Sequence, residues 1–134
     1  MPAWQSVGPH RFYVDGNLFG MELNGPVTIP DIAALLSHQE ALLSQFDEVL
    51  TLCDARHAVM PTPEVRKFLA DRGKRIDTAR LYAVVITDSV LLRTIVQLIE
   101  HAARILTGAP PHTTFVKDEP EALAWIQARR RTRA

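Results

Sequence analysis

Three places in the chain bring the residue types that do chemistry to the ends of apolar runs. Val49 to Cys53 gives way to Asp54, with Arg56 and His57 close behind. Leu81 to Ile86 runs into Thr87-Asp88-Ser89, and Thr113 to Val116 into Lys117-Asp118. If these runs are parallel strands, their ends open together on one crevice, the usual ligand site of α/β proteins. An acid, a hydroxyl and a lysine at successive strand ends are also the set used by phosphoacceptor receiver domains. The first strand, however, lacks the paired acids that would hold magnesium, and Asp88 and Asp118 serve equally well as helix caps.

Two helix starts feed the same crevice. Thr62-Pro63-Glu64 and Thr87-Asp88-Ser89 both read as N-termini, where unpaired backbone N–H groups favour an anion. The candidate crevice is therefore Asp54, Arg56, His57, Thr62, Asp88 and Ser89. Arg56 could add a charge-assisted bond to an anionic group, while Asp54 and Asp88 oppose one, so the six residues could equally do no more than cap helices and shape loops. Histidines 10, 38, 57, 101 and 112 include no His-x-x-x-His pair, so no metal site is expected. Cys53 sits inside an apolar run, where a buried, unreactive thiol is the ordinary outcome. With no Gly-x-Gly-x-x-Gly, P-loop or Gly-x-Ser-x-Gly, the sequence predicts no cofactor and no catalytic residue.

Composition narrows the class. The 134 residues are 47% hydrophobic and 22% charged, enough to bury one core. Fifteen basic residues balance fifteen acidic ones, so no net field points at nucleic acid. The only basic cluster is Arg129, Arg130, Arg131 and Arg133, with no aromatic interleaved. The charges are ordered, though: residues 1–64 hold eight acids and two bases, residues 65–134 seven acids and thirteen bases. Either the asymmetry favours head-to-tail contacts or an acidic-to-basic docking surface, or the halves interleave in the fold and the charges mix. One cysteine, no signal-like N-terminus and no apolar run long enough to span a bilayer predict a cytoplasmic chain without a membrane span.

The elements that must position these residues follow from pattern. Arg11 to Val14 and Leu18 to Asn24 form a hairpin about Asp15-Gly16-Asn17. Thr28 to Gln45 is a helix with Ile32, Leu35, Leu36, Leu42, Leu43 and Phe46 on one stripe. Val49 to Cys53 is a central strand, followed by a loop from Asp54 to Pro61. A helix from Thr62 towards Ile76, a strand Leu81 to Ile86, a helix Val90 to about Leu106 closed by Gly108-Ala109-Pro110-Pro111, a strand Thr113 to Val116 and a final helix ending in the arginines complete the chain. The fold class is α/β: one domain over residues 1–134, with a mixed sheet of about five strands and about four helices. It opens with an antiparallel hairpin and continues with parallel strands. Trp4, Phe12, Phe19 and Met21 lie on or near the hairpin at a sheet edge, which predicts a homodimer unless the first helix covers them.

That order resembles the STAS domains, and more closely the SpoIIAA-like proteins, which are grouped with CRAL-TRIO lipid-binding domains. The resemblance runs from Phe12 to Ala128. It is carried by Leu-Phe-Gly-Met-Glu-Leu-Asn-Gly-Pro-Val-Thr, Leu-Thr-Leu-Cys-Asp, Leu-Tyr-Ala-Val-Val-Ile-Thr-Asp-Ser and Phe-Val-Lys-Asp-Glu-Pro-Glu-Ala-Leu-Ala-Trp-Ile. It implies a non-catalytic regulatory or protein-interaction module with a protein partner, or alternatively a carrier of a lipid or small anionic ligand. Signalling members of the family carry a phosphorylatable serine in Asp-Ser-Ser-Gly at the second helix start. Thr62 falls at that position as a candidate phosphoacceptor, with Pro61 in place of the aspartate and Glu64 in place of the glycine.

Overall fold

The computed structural model describes residues 3–107 and 112–133. Strands β1 (Gln5–Val7), β2 (His10–Asp15) and β3 (Leu18–Gly25) form an antiparallel meander, and helix α1 (Ile29–Leu43) follows. Then come β4 (Val49–Ala58), α2 (Pro63–Gly73), a 3-10 turn (Thr78–Arg80), β5 (Leu81–Ile86), α3 (Val90–Thr107), β6 (Thr113–Val116) and α4 (Glu119–Arg133). The expected closure of α3 by residues 108–111 lies outside the described residues. The sheet has six strands, one more than expected. The addition is β1, joined to β2 through Gly8-Pro9, with Val7 paired to His10. Gly8 has φ 57°, the positive angle that the first position of a type II′ hairpin turn needs.

The second correction concerns β4. It does not stop at Cys53 but runs to Ala58, so Asp54, Arg56 and His57 are strand residues rather than loop residues. Its pairing with β3 slips between Glu22–Asp54 and Asn24–His57, so β4 spends one extra residue there. The bulge has a local cause. The Arg56 N–H donates to Asp54 Oδ1 at 3.1 Å, so the side chain replaces a ladder partner and the strand continues past its own charges.

Strand order is β1-β2-β3-β4-β5-β6, the order of the chain itself. Each parallel crossover therefore steps the same way across the sheet. Right-handed crossovers then place α1, α2 and α3 on one face, leaving the other to α4. The cores agree. Phe12, Phe19, Leu35, Leu36, Leu42 and Val49 pack under α1, and Cys53, Ala55 and Val85 lie with Leu92 of α3. Leu50, Leu52, Val84 and Ile86 pack with Ala122 and Ile126 of α4 on the opposite side.

Phe12 and Phe19 are thus buried by α1, with the Phe12 ring stacked on His38 at 4.2 Å between centroids. Of the hairpin aromatics, Trp4 alone stays exposed, edge-on to Tyr13 and covered on one side by the Arg11 guanidinium. The two charge halves interleave. Arg72 reaches Glu40, Arg129 reaches Glu48 and Arg130 reaches Asp15, each pair joining the basic second half to the acidic first.

Candidate functional site

The six crevice residues are divided by the sheet. By strand alternation Asp54 shares the α4 side with Leu50 and Leu52, while Cys53 and Ala55 face α3. Arg56 forks onto Asp54, with Nε 2.9 Å from Oδ1 and Nη2 2.7 Å from Oδ2. That pair, with a smaller contribution from His57, holds the Asp54 carboxyl below its ordinary range even though partial burial pushes the other way. Arg56 is therefore already committed to a carboxylate. His57 and Asp88 are exposed.

Thr62 and Ser89 stand on the other side as the N-caps of α2 and α3. Thr62 Oγ1 accepts from the Val65 N–H at 3.2 Å, and Ser89 Oγ accepts from the Leu92 N–H at 3.0 Å. Each hydroxyl satisfies one orphan donor of its own helix. Thr87, buried beside them, accepts from the Ser89 N–H at 3.1 Å and stiffens the turn. The structure thus brings Asp54 and Arg56 together on one face and seats Thr62 and Ser89 at the helix layer of the other.

A concave feature lies elsewhere, inside the layer between the sheet and α1, α2 and α3. A cavity of about 300 Å³ occupies it, at the lower end of the range for small-molecule pockets. Its floor is low because β4 and β5 present Cys53, Ala55 and Ala83 where larger residues would fill the space. Val65 and Leu69 of α2, with Leu92 and Val96 of α3, close the roof. Burial pushes the Cys53 thiol up to about 12, so this wall carries no thiolate at neutral pH.

Two hydrogen-bonded polar groups interrupt the wall, which Thr78 and His112 also line. On one side Gln39 Nε2 donates to Thr51 Oγ1 at 2.6 Å, and Gln39 Oε1 accepts from Arg72 Nη2 at 2.5 Å. Arg72 Nε donates to Glu40 Oε1 at 2.8 Å. Burial pulls the Arg72 guanidinium below its usual range, and Glu40 counters part of that. On the other side the Thr113 hydroxyl donates to Glu100 Oε1. Thr51 pairs with Ala83 and Ala83 with Thr113, so the two groups flank one small residue in a single cross-sheet row. At about 4.8 Å per strand, their backbones stand about 10 Å apart.

Sequence reasoning missed these residues, yet each leaves a signal. Gln39 interrupts the apolar stripe of α1, Thr51 breaks the apolar run of β4, and Glu100 lies four residues after Val96 on the inner side of α3. A polar residue where periodicity demands an apolar one marks a lined cavity as readily as a flaw. Among the described residues no group of three or more histidine, cysteine, aspartate or glutamate side chains could hold a metal ion. No helix among them is long and apolar enough to cross a membrane.

Burial pushes the Glu100 carboxyl above the ordinary carboxylate range, and the Thr113 hydroxyl opposes this in part. A carboxyl raised on folding contributes its stability below its unfolded value of about 4.3 and loses it as pH climbs through the folded value. Glu100→Gln keeps the shape and removes the charge. The variant is expected to match the parent near pH 4 and to become the more stable of the two as pH rises to 8. Urea unfolding across that range checks this, and a constant gap at every pH would reject it.

A sheet in chain order, an antiparallel opening meander, three helices on one face and one on the other define a mixed α/β domain. The arrangement is the SpoIIAA-like fold. A crystal structure of an uncharacterised protein of the DUF3478 family from Shewanella loihica PV-4, described as having that fold, is similar over 93% of this chain and 91% of its own, with a TM-score of 0.54 and 15% sequence identity. No protein-family model and no curated protein matches the chain.

Proposed function

We propose that this chain is a non-catalytic binding module that holds a small, largely apolar ligand in the cavity under α2 and α3. The observation that carries this reading is the cavity itself: about 300 Å³, walled mainly by aliphatic side chains and small residues, with few polar side chains among them. An apolar space of that size loses dispersion contacts while empty and regains them on filling. It corresponds to the ligand-carrier role that the sequence resemblance implies. Native mass spectrometry of the protein purified from its own cells is expected to find a co-purifying small molecule. Ala83→Leu, which fills the floor between the two polar groups, is expected to lose it while unfolding at the same or a higher temperature. A bare mass for the parent protein, with no uptake of a fluorescent apolar probe that Ala83→Leu fails to take up, overturns the reading.

A second reading, regulation through a protein partner, is favoured by one observation. Helix α3 exposes Val90, Leu91 and Leu98 on its outer side while its inner side roofs the cavity. An apolar patch of this kind suits a protein contact. The exposed Thr62 at the start of the neighbouring helix would be the phosphoacceptor in that case, its phosphate meeting the α2 N-terminus. Leu91→Glu with Leu98→Glu is expected to abolish partner capture and leave the cavity's ligand in place; capture by the double variant at parental levels would remove this reading.

A further inference from the structure

We infer that the cavity takes an amphiphile whose head group is a carboxylate, bound by Arg72 with its tail against the α2 and α3 roof. The inference rests on the ligand-binding reading above and adds the chemistry of the head group.

Among the described residues Arg72 is the one arginine or lysine on the cavity wall, which His112 also lines, and only 8% of Arg72 is exposed. A guanidinium carries five N–H hydrogens in a fixed fork. Two are used, by Glu40 at Nε and by Gln39 at Nη2. Among the described residues Nη1 donates to nothing. A buried guanidinium with spare donors is a recognition element for a planar, two-oxygen anion, which a carboxylate supplies and a hydroxyl does not.

The present partner is held loosely. Glu40 meets Arg72 through one oxygen, and its side chain is 41% exposed, so it can turn to solvent when a ligand carboxylate arrives. Gln39 fixes the fork from the other side because Thr51 receives its amide N–H, and Gln39 cannot rotate without breaking both bonds. Glu100 does not oppose the assignment. It stands across Ala83 from this network, two strands away, and its carboxylate oxygen accepts from the Thr113 hydroxyl. Leu69, Val96 and Val85 offer aliphatic surface to the rest of the ligand.

Isothermal titration of the full chain with sodium octanoate and with 1-octanol tests the idea, since the two share a tail and differ in the head. Octanoate is expected to bind about tenfold more tightly than octanol, the worth of a charge-assisted bond over a neutral one. Arg72→Gln is expected to remove that preference. Glu40→Gln, at a half-exposed position that folding tolerates, is expected to tighten octanoate about fivefold and leave octanol unchanged, because the competing anion is gone. Should Arg72→Gln fail to fold, Glu40→Gln decides alone. Equal affinities for the two probes, or Glu40→Gln without effect on octanoate, overturn the head-group assignment while the cavity reading stands. Binding of neither probe, with Ala83→Leu behaving as the parent does, removes both.

Discussion

Phe19→Ala is expected to destabilise the protein by about 3 to 5 kcal/mol, the usual loss for an aromatic deleted from a core with no room to collapse. Phe19 is fully enclosed, with its ring 5.9 Å from that of Phe12, and α1 lies over both. The hairpin beneath cannot move to fill the gap, because β3 is fixed on one side by β2 and on the other by β4. The loss corresponds to a fall of about 10 to 20 °C in melting temperature for a domain of this size. Val14→Ala, at the half-exposed position paired with Phe19, should stay within about 0.5 kcal/mol of the parent. Urea unfolding of both variants measures the difference. A loss at Phe19 below 1 kcal/mol would mean that α1 does not cover the hairpin as described.

Arg129→Ala is the second large effect, expected at about 2 to 3 kcal/mol. Arg129 reaches Glu48 through Nε, 3.1 and 3.2 Å from its two oxygens, and through Nη2, while its guanidinium lies 3.9 Å over the Tyr82 ring. Glu48 is buried immediately before β4, so removing the arginine strips its principal cation from an enclosed carboxylate. Breaking a buried pair of that kind costs about 3 to 5 kcal/mol, reduced here because Arg129 itself is part-exposed. The pair also ties α4 to the sheet face that has no other helix. Lys67→Ala, which removes an exposed pair with Asp71 on one turn of helix, should leave stability essentially unchanged. Thermal unfolding of the two variants side by side checks both expectations, and an Arg129→Ala loss no larger than that of Lys67→Ala would show the buried pair to be dispensable.

Much of the architecture was legible because it follows from local rules. The stripe Ile32, Leu35, Leu36 and Leu42 announced α1 and the face it buries, and Thr28 and Thr62 announced helix starts that their side chains cap. The runs Leu81–Ile86 and Thr113–Val116 appear as strands with those bounds. Two elements escaped. Residues 5–7 are too short to show alternation, and they pair only because Gly8 takes a positive φ that turns them back on β2. The far half of β4 carries Asp54, Arg56 and His57, which read as loop; the strand survives there because Asp54 supplies a hydrogen bond to its own neighbour's backbone.

What the sequence determined by itself was a set of elements, their order and a fold class, since periodicity, caps and turn residues act within a few positions. Strand order and the distribution of helices over the two faces were decided only in three dimensions. A sheet in chain order has no point where the crossovers reverse direction, and such a reversal is what opens the strand-end crevice of doubly wound proteins. Asp54 and Arg56 consequently close on each other under α4, away from Thr62 and Ser89. The enclosed space formed instead where Cys53, Ala55 and Ala83, unremarkable in sequence and distant in the chain, came to lie side by side beneath helices that could not descend to meet them. Gln39, Thr51, Arg72, Glu100 and Thr113 come from five different elements, and only packing makes them neighbours of one cavity.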